Sequence, residues 1–224
     1  LNLLKIATFR IGITGGLLTR IGIGALPFLL PLLFQLGFGL TALQSGLLTF
    51  ASAAGALAMK TTAAPIIRRF GFKRVLVTNA MISCVFVLAL ALFTAGTPHI
   101  VVLAVLLVGG FFKSLEFTSI NSIAYADIDA KAMSRATSFA SVAQQLALSS
   151  GVAVGALVLE FERMGRADPT VVAGDFPLAF MLVALIAASS VFIFAMLPKE
   201  AGASLSARSH QVAVREEPAS APQS

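Results

Sequence analysis

The sequence predicts an all-α membrane protein, with six transmembrane helices arranged as an inverted 3+3 repeat. Three observations carry that prediction: too little charge for a soluble surface, six apolar runs of membrane length, and cations confined to alternate connections. Of the 224 residues, 58% are hydrophobic and only 12% are charged, and the mean hydropathy is +0.93. A soluble domain carries about 25% charged residues. Lipid removes the need for a charged surface, and a spanning helix needs roughly 20 apolar residues.

The runs lie at 10–36, 43–63, 74–95, 100–124, 135–159 and 176–197. The first follows "LNLLKIATFR", an interfacial lead-in without a starting Met or a signal-peptide pattern, so the chain reads as an internal fragment of a longer protein. Turn signals separate runs one and two ("LGFGLT"), three and four ("TAGTPH") and five and six ("RADPTVVAGD"). Residues 1–198 are expected to form the bundle, closed by Pro198. Residues 199–224, rich in Ala, Ser and Pro, are expected to be a disordered cytoplasmic tail.

Charge sets the orientation. Lys5, Arg10, Lys60, Arg68, Arg69, Lys73, Arg74, Lys131, Arg135, Lys199, Arg208 and Arg215 fall on one side, which is 12 of the 16 Lys and Arg residues. Only Arg163 and Arg166 fall on the other. The positive-inside rule then puts both termini in the cytoplasm. Runs one to three start on one face of the membrane and runs four to six on the other, as in an inverted repeat. No sequence identity is visible between the triplets, so topology alone carries the repeat.

Several classes are excluded or disfavoured. The net charge of +6 does not make a nucleic-acid surface, because the cations sit in short connections between apolar runs. Cys84 is the only cysteine, so it forms no internal disulfide or multi-cysteine metal site and packs as a small hydrophobe. No phosphate loop, paired-His metal motif or nucleophile elbow is present. No enzyme activity, metal or cofactor is expected.

Between runs two and three, "RRFGFKRVL" resembles the signature loop of the major facilitator superfamily, which reads roughly G-x-x-x-D-R-x-G-R-K/R. Arg69, Gly71, Lys73 and Arg74 match, while Ala64, Arg68 and Phe72 depart from it. A degenerate copy without the acid is typical of the second half of these transporters. "LLTRIGIGALPFLLPLLFQLGFGLTALQSGLL", with its R-x-G-x-G-x-x-P-F stretch from Arg20 to Phe28, looks like the 14-span drug:proton antiporter branch of EmrB- and QacA-like exporters. Within it the chain is most similar to the MdtD-like members.

The resemblance covers almost the whole chain up to the tail and implies the C-terminal six-helix bundle of such a transporter. It implies proton-coupled export of hydrophobic or amphipathic compounds by alternating access, in a bacterial inner membrane. The implied partners are the small-molecule substrate, protons, the lipid bilayer and the missing N-terminal helices. Two alternatives stay open: a non-transporting sensor or scaffold, and a six-span transporter acting as a homodimer.

An ionisable group inside the bilayer costs a few kcal/mol or more, so it is a functional hypothesis by default. Three qualify. Arg20 lies roughly 15 Å into run one, near the midplane. It shares a face with Gly16, Gly24, Pro27 and Pro31 and is the candidate cavity residue. Lys113 and Glu116 lie roughly 15 Å and 10 Å from the cytoplasmic end of run four. All three are therefore expected in one layer, in the two runs that line the cavity in the family fold.

Glu116 is the candidate proton-carrying acid. The plainer reading is that Lys113 snorkels and Glu116 neutralises it one turn away. Gln144 and Gln145, midway along run five, either bind substrate or join helices. Ala147, Gly151 and Gly155 form a small-xxx-small packing face. Asn121 reads as structural, and His99 and Asp129 read as helix caps.

Overall fold

In the computed structural model, residues 2–164, 170–198 and 201 are described. The expected tail lies outside the described residues except at Ala201, as do residues 165–169 with Arg166. Six stretches are long and apolar enough to cross a membrane, and no strand occurs among the described residues.

Span one follows a 3₁₀ turn at Asn2–Lys5 and is not one helix. α1 runs Ala7–Gly24, α2 runs Leu26–Leu32, and a π-helical turn covers Leu33–Gly37. The interruption falls at Ala25, two residues before Pro27. A proline has no N–H to bond four residues back, and its ring crowds the carbonyl there. Pro31 repeats the defect inside α2.

α3, Ala42–Phe70, starts with a capping box at Thr41. The Gln44 N–H donates to Thr41 Oγ1 at 3.3 Å and the Thr41 N–H donates to Gln44 Oε1 at 2.9 Å. α4, Phe72–Leu90, begins after a single residue, Gly71, with φ 76° and ψ 155°. That region is open essentially to glycine alone. α5 runs His99–Tyr125, α6 Ala130–Arg163 and α7 Phe176–Ala195.

The connection expected over 64–73 is therefore a one-residue turn. Hydropathy marks where α3 leaves the apolar layer, but its hydrogen-bond ladder continues through Pro65 until Gly71 stops it. Pro98, not His99, occupies the cap position of α5. Asp129 occupies that of α6, yet neither start has a side-chain capping bond.

Packing follows the expected repeat. α3 packs along α5 and α6 along span one; α7 packs on α1 and α4 on α5. α1 touches α5, and α4 touches α7. Exchanging spans one, two and three for four, five and six maps these pairs onto one another. A cluster of Ile11, Phe72, Ile123, Phe194 and Leu197 gathers the ends of four spans. Thr8 Oγ1 donates to Asp127 Oδ2 at 2.9 Å, joining the start of α1 to the end of α5. Arg10, Arg68, Arg69, Lys73, Arg74, Lys131 and Arg135 thus share one end of the bundle, and Arg163 lies at the other.

Close backbone approach fixes the long crossings. A Cβ at Gly55 would overlap the Leu107 carbonyl, and one at Gly110 would overlap the Ser52 carbonyl. Gly46, on the same helix as Gly55, faces open space. Overpacking a fitted contact costs about 1–3 kcal/mol. Gly55→Ala is expected to lower stability by that amount in reversible unfolding in detergent. Gly46→Ala is expected to be neutral or stabilising; equal losses would show that α3 and α5 do not meet at Gly55.

Candidate functional site

A half-open cavity of about 580 Å³ is walled by spans one to four. Ile23, Pro27 and Pro31 contribute from span one, Ser52 from α3, Phe86 from α4 and Lys113 from α5. A second cavity of about 320 Å³ lies among spans one, four and five, where Gln145 and Ser149 line it. Ile23, Pro27, Lys113 and Phe117 border both. The interruption of span one at Ala25 therefore falls at the wall between the cavities.

No hydrogen bond or ion pair joins the three intramembrane charges to one another. Arg20 is 4% exposed, and its guanidinium folds back over Gly16. Side chains on a helix lean toward its N-terminus, so the charge sits about one turn nearer the cationic end than its Cα. Arg20 Nη2–H donates to Asn121 Oδ1 at 2.7 Å, and its Cζ lies 5.2 Å from the centre of the Phe117 ring. Such a cation–π contact is worth more when desolvated. No acidic residue precedes Glu116 in the chain, so spans one to three supply Arg20 with no counter-ion.

Glu116 is fully buried and faces α4, where it accepts a hydrogen bond from Asn79 Nδ2–H. Lys113 faces the cavities instead, and no ion pair joins it to Glu116. Helical geometry explains the separation. Lys113, Phe117 and Asn121 recur every four residues and form one stripe, while Phe112 and Glu116 form another, turned by about 100°. The neutralising pair expected from their three-residue spacing is not made.

Gln145 lines the second cavity, whereas Gln144 lines neither. Ala147, Gly151 and Gly155 are buried on α6. A Cβ at Gly151 would overlap the Ile21 carbonyl, and one at Gly155 would touch Leu29 at 3.4 Å. Arg68, Arg69 and Arg74 are exposed and Lys73 is half-buried around Gly71, with Arg69 Cζ 5.8 Å from the Phe70 ring centre. Cys84 Sγ lies 3.6 Å from the Ala184 carbonyl, inside the α4–α7 contact.

Sequence reasoning missed Asn79 and the roles of Asn121 and Phe117. Asn79 carried a usable signal, because a lone amide inside an apolar run needs a partner as an ionisable group does. Five buried polar atoms without a hydrogen-bond partner sit in this region: Arg20 Nε, Asn79 Oδ1, Ser83 Oγ, Glu116 Oε1 and Ser119 Oγ.

Membrane-length helices, inverted-repeat packing and a half-open, polar-edged cavity between spans define an integral membrane protein of the helical transporter kind. Residues 12–221 match the Major Facilitator Superfamily, and the chain belongs to that family of transporters. It is 32% identical over 205 residues to proteins named multidrug resistance protein MdtD in Escherichia coli strain K12 and in two serotypes of Shigella boydii. The match covers 89% of this chain but 43% of each relative, so the chain spans less than half their length. No solved structure matches it.

A hydrogen bond to a charged group contributes about 1.5–3 kcal/mol. Asn121→Ala is expected to lower stability by about that much, but to have little effect in an Arg20→Met background. A double-mutant cycle on unfolding measures the difference. Equal effects in both backgrounds would mean that Asn121 does not hold Arg20.

Proposed function

We propose that the chain is the C-terminal half of a proton-coupled exporter of hydrophobic or amphipathic compounds. The observation that carries this reading is the 580 Å³ cavity among four spans, apolar except for a few hydroxyls and Lys113, in a chain of this family. A mostly apolar pocket with few polar groups is the usual form of a small-molecule site. The names of the related proteins support the choice of substrate class.

In this reading the bundle rocks against the N-terminal helices about a midplane site, with both termini in the cytoplasm of a bacterial inner membrane. The inverted packing of the two triplets supports alternating access. Phe117, Lys113 and Gln145 meet substrate. Arg20 supports the wall through Phe117 and Asn121. Glu116, buried beside that wall, carries the proton. The turn of Arg69, Gly71, Lys73 and Arg74 faces the other bundle and biases the two states.

Accumulation of ethidium, an amphipathic cationic dye, in a pump-deficient bacterium tests this. Full-length protein is expected to lower accumulation several-fold. Lys113→Ala and Phe117→Ala are expected to raise it again at unchanged membrane levels. Accumulation indifferent to the protein across a panel of hydrophobic dyes would sink the exporter reading. Replacing Arg69 and Arg74 together with Ala is expected to slow efflux without reducing insertion, measured by membrane-fraction immunoblot; unchanged efflux would remove the turn from the mechanism.

A further inference from the structure

The contact between α4 and α5 holds a pair of side chains whose hydrogen bonds are half complete. Asn79 and Glu116 are 2% and 0% exposed. Asn79 Nδ2 donates to Glu116 Oε2 and, at 2.8 Å, to the Phe112 carbonyl. Both amide protons are thereby used. One oxygen on each partner is left, Asn79 Oδ1 and Glu116 Oε1, each buried and without a hydrogen-bond partner.

The chemistry of the two groups decides what completes them. An ionised carboxyl offers only acceptors, whereas a protonated one gains an O–H donor. Two acceptors cannot satisfy each other, and an orphaned acceptor in a low-dielectric interior is costly. A proton on Oε1 turns one acceptor into the donor that Asn79 Oδ1 lacks. The elements packed against α5 bring other charged or titratable groups: Arg10 and Arg20 from α1, Lys60, Arg68 and Arg69 from α3, and Lys73, Arg74 and Cys84 from α4, with His99, Lys113 and Tyr125 on α5 itself. None makes a hydrogen bond or ion pair with Glu116. Asn79 is therefore its one side-chain hydrogen-bond partner among the described residues.

We propose that Asn79 is the positioning residue for a proton on Glu116, and that the proton-loaded state is an acid–amide ring across the α4–α5 contact. In the ring, Asn79 Nδ2–H donates to Glu116 Oε2 while Glu116 Oε1–H donates to Asn79 Oδ1. Loading takes one proton from hydronium and unloading returns it; no other covalent bond changes. Ser83, one turn further along α4, lines the larger cavity and has an unpartnered buried Oγ, which puts a hydroxyl between the cavity and the pair. Losing the proton opens the ring, so the proton state alters the α4–α5 contact that bears the cavity wall. This deepens the reading of Glu116 as the proton acid and rests on it.

Infrared difference spectra of the full-length protein in lipid vesicles, taken between acid and alkaline pH, separate the two claims. The C=O band of a protonated carboxyl moves to higher wavenumber as hydrogen bonds to it are lost. Glu116→Gln is expected to remove one such band. An unchanged spectrum would mean that Glu116 does not titrate, and both the ring and its proton role would fall.

In Asn79→Leu the band is expected to persist at higher wavenumber. A band left at its wild-type position would overturn the ring while keeping Glu116 as the proton acid. If Asn79→Leu does not assemble, Asn79→Ser also removes the amide and is expected to shift the band in the same direction. Asn79→Gln keeps the amide, and its band is expected nearer to wild type than that of Asn79→Ser; the reverse order counts against the ring.

Discussion

Close approach of helix backbones is the constraint on which the rest of this bundle depends. In lipid there is little hydrophobic gain from bringing two apolar helices together, so association relies on packing and hydrogen bonds. Gly55 against Leu107 and Gly110 against Ser52 bring α3 and α5 into contact along their length. On the other side, Gly151 against Ile21 and Gly24 against Leu148 do the same for span one and α6. These two parallel crossings are exchanged by the repeat. They hold α1 and α5 at the centre of the bundle, where both carry buried charge.

With the backbones fixed, each buried polar group has to find a partner from the face it happens to occupy. α5 illustrates the sorting. Its 113–117–121 stripe meets the cavities and Arg20, and its 112–116 stripe meets α4. Acid and base thus share one helix and lie in separate environments. A direct pair would neutralise both charges and leave neither free for a ligand or a proton. Keeping them apart leaves Lys113 at a cavity wall and Glu116 dependent on a neutral amide.

Much of the fold was legible because hydropathy and charge report the membrane directly. Six apolar runs became six spans, and the alternation of cations gathered them at one end. What escaped was set by local backbone chemistry or by neighbours in space. The end of α3 depends on the conformation of Gly71, which hydropathy does not see. The break at Ala25 was implicit in Pro27 and Pro31, yet an apolar run reads straight across it. Arg20, Lys113 and Glu116 stood out as intramembrane charges, but depth along a helix says nothing of direction around it. The partners Asn79 and Asn121 follow only from which helices pack together.

Phe117 connects these environments. One ring lies beneath the Arg20 guanidinium and borders both cavities, on the residue next to Glu116. A cation held by Asn121 on one side and an aromatic face on the other keeps that ring in place without an acid. Any displacement of α5 that disturbs the α4 contact at Glu116 must also move Phe117, because the two side chains leave adjacent residues of one rigid helix. The wall between the cavities and the buried carboxyl are therefore mechanically joined through α5 itself. Coupling between a proton and a ligand needs a shared element whose position both sites bias, and in the proposed reading that element is the middle of α5.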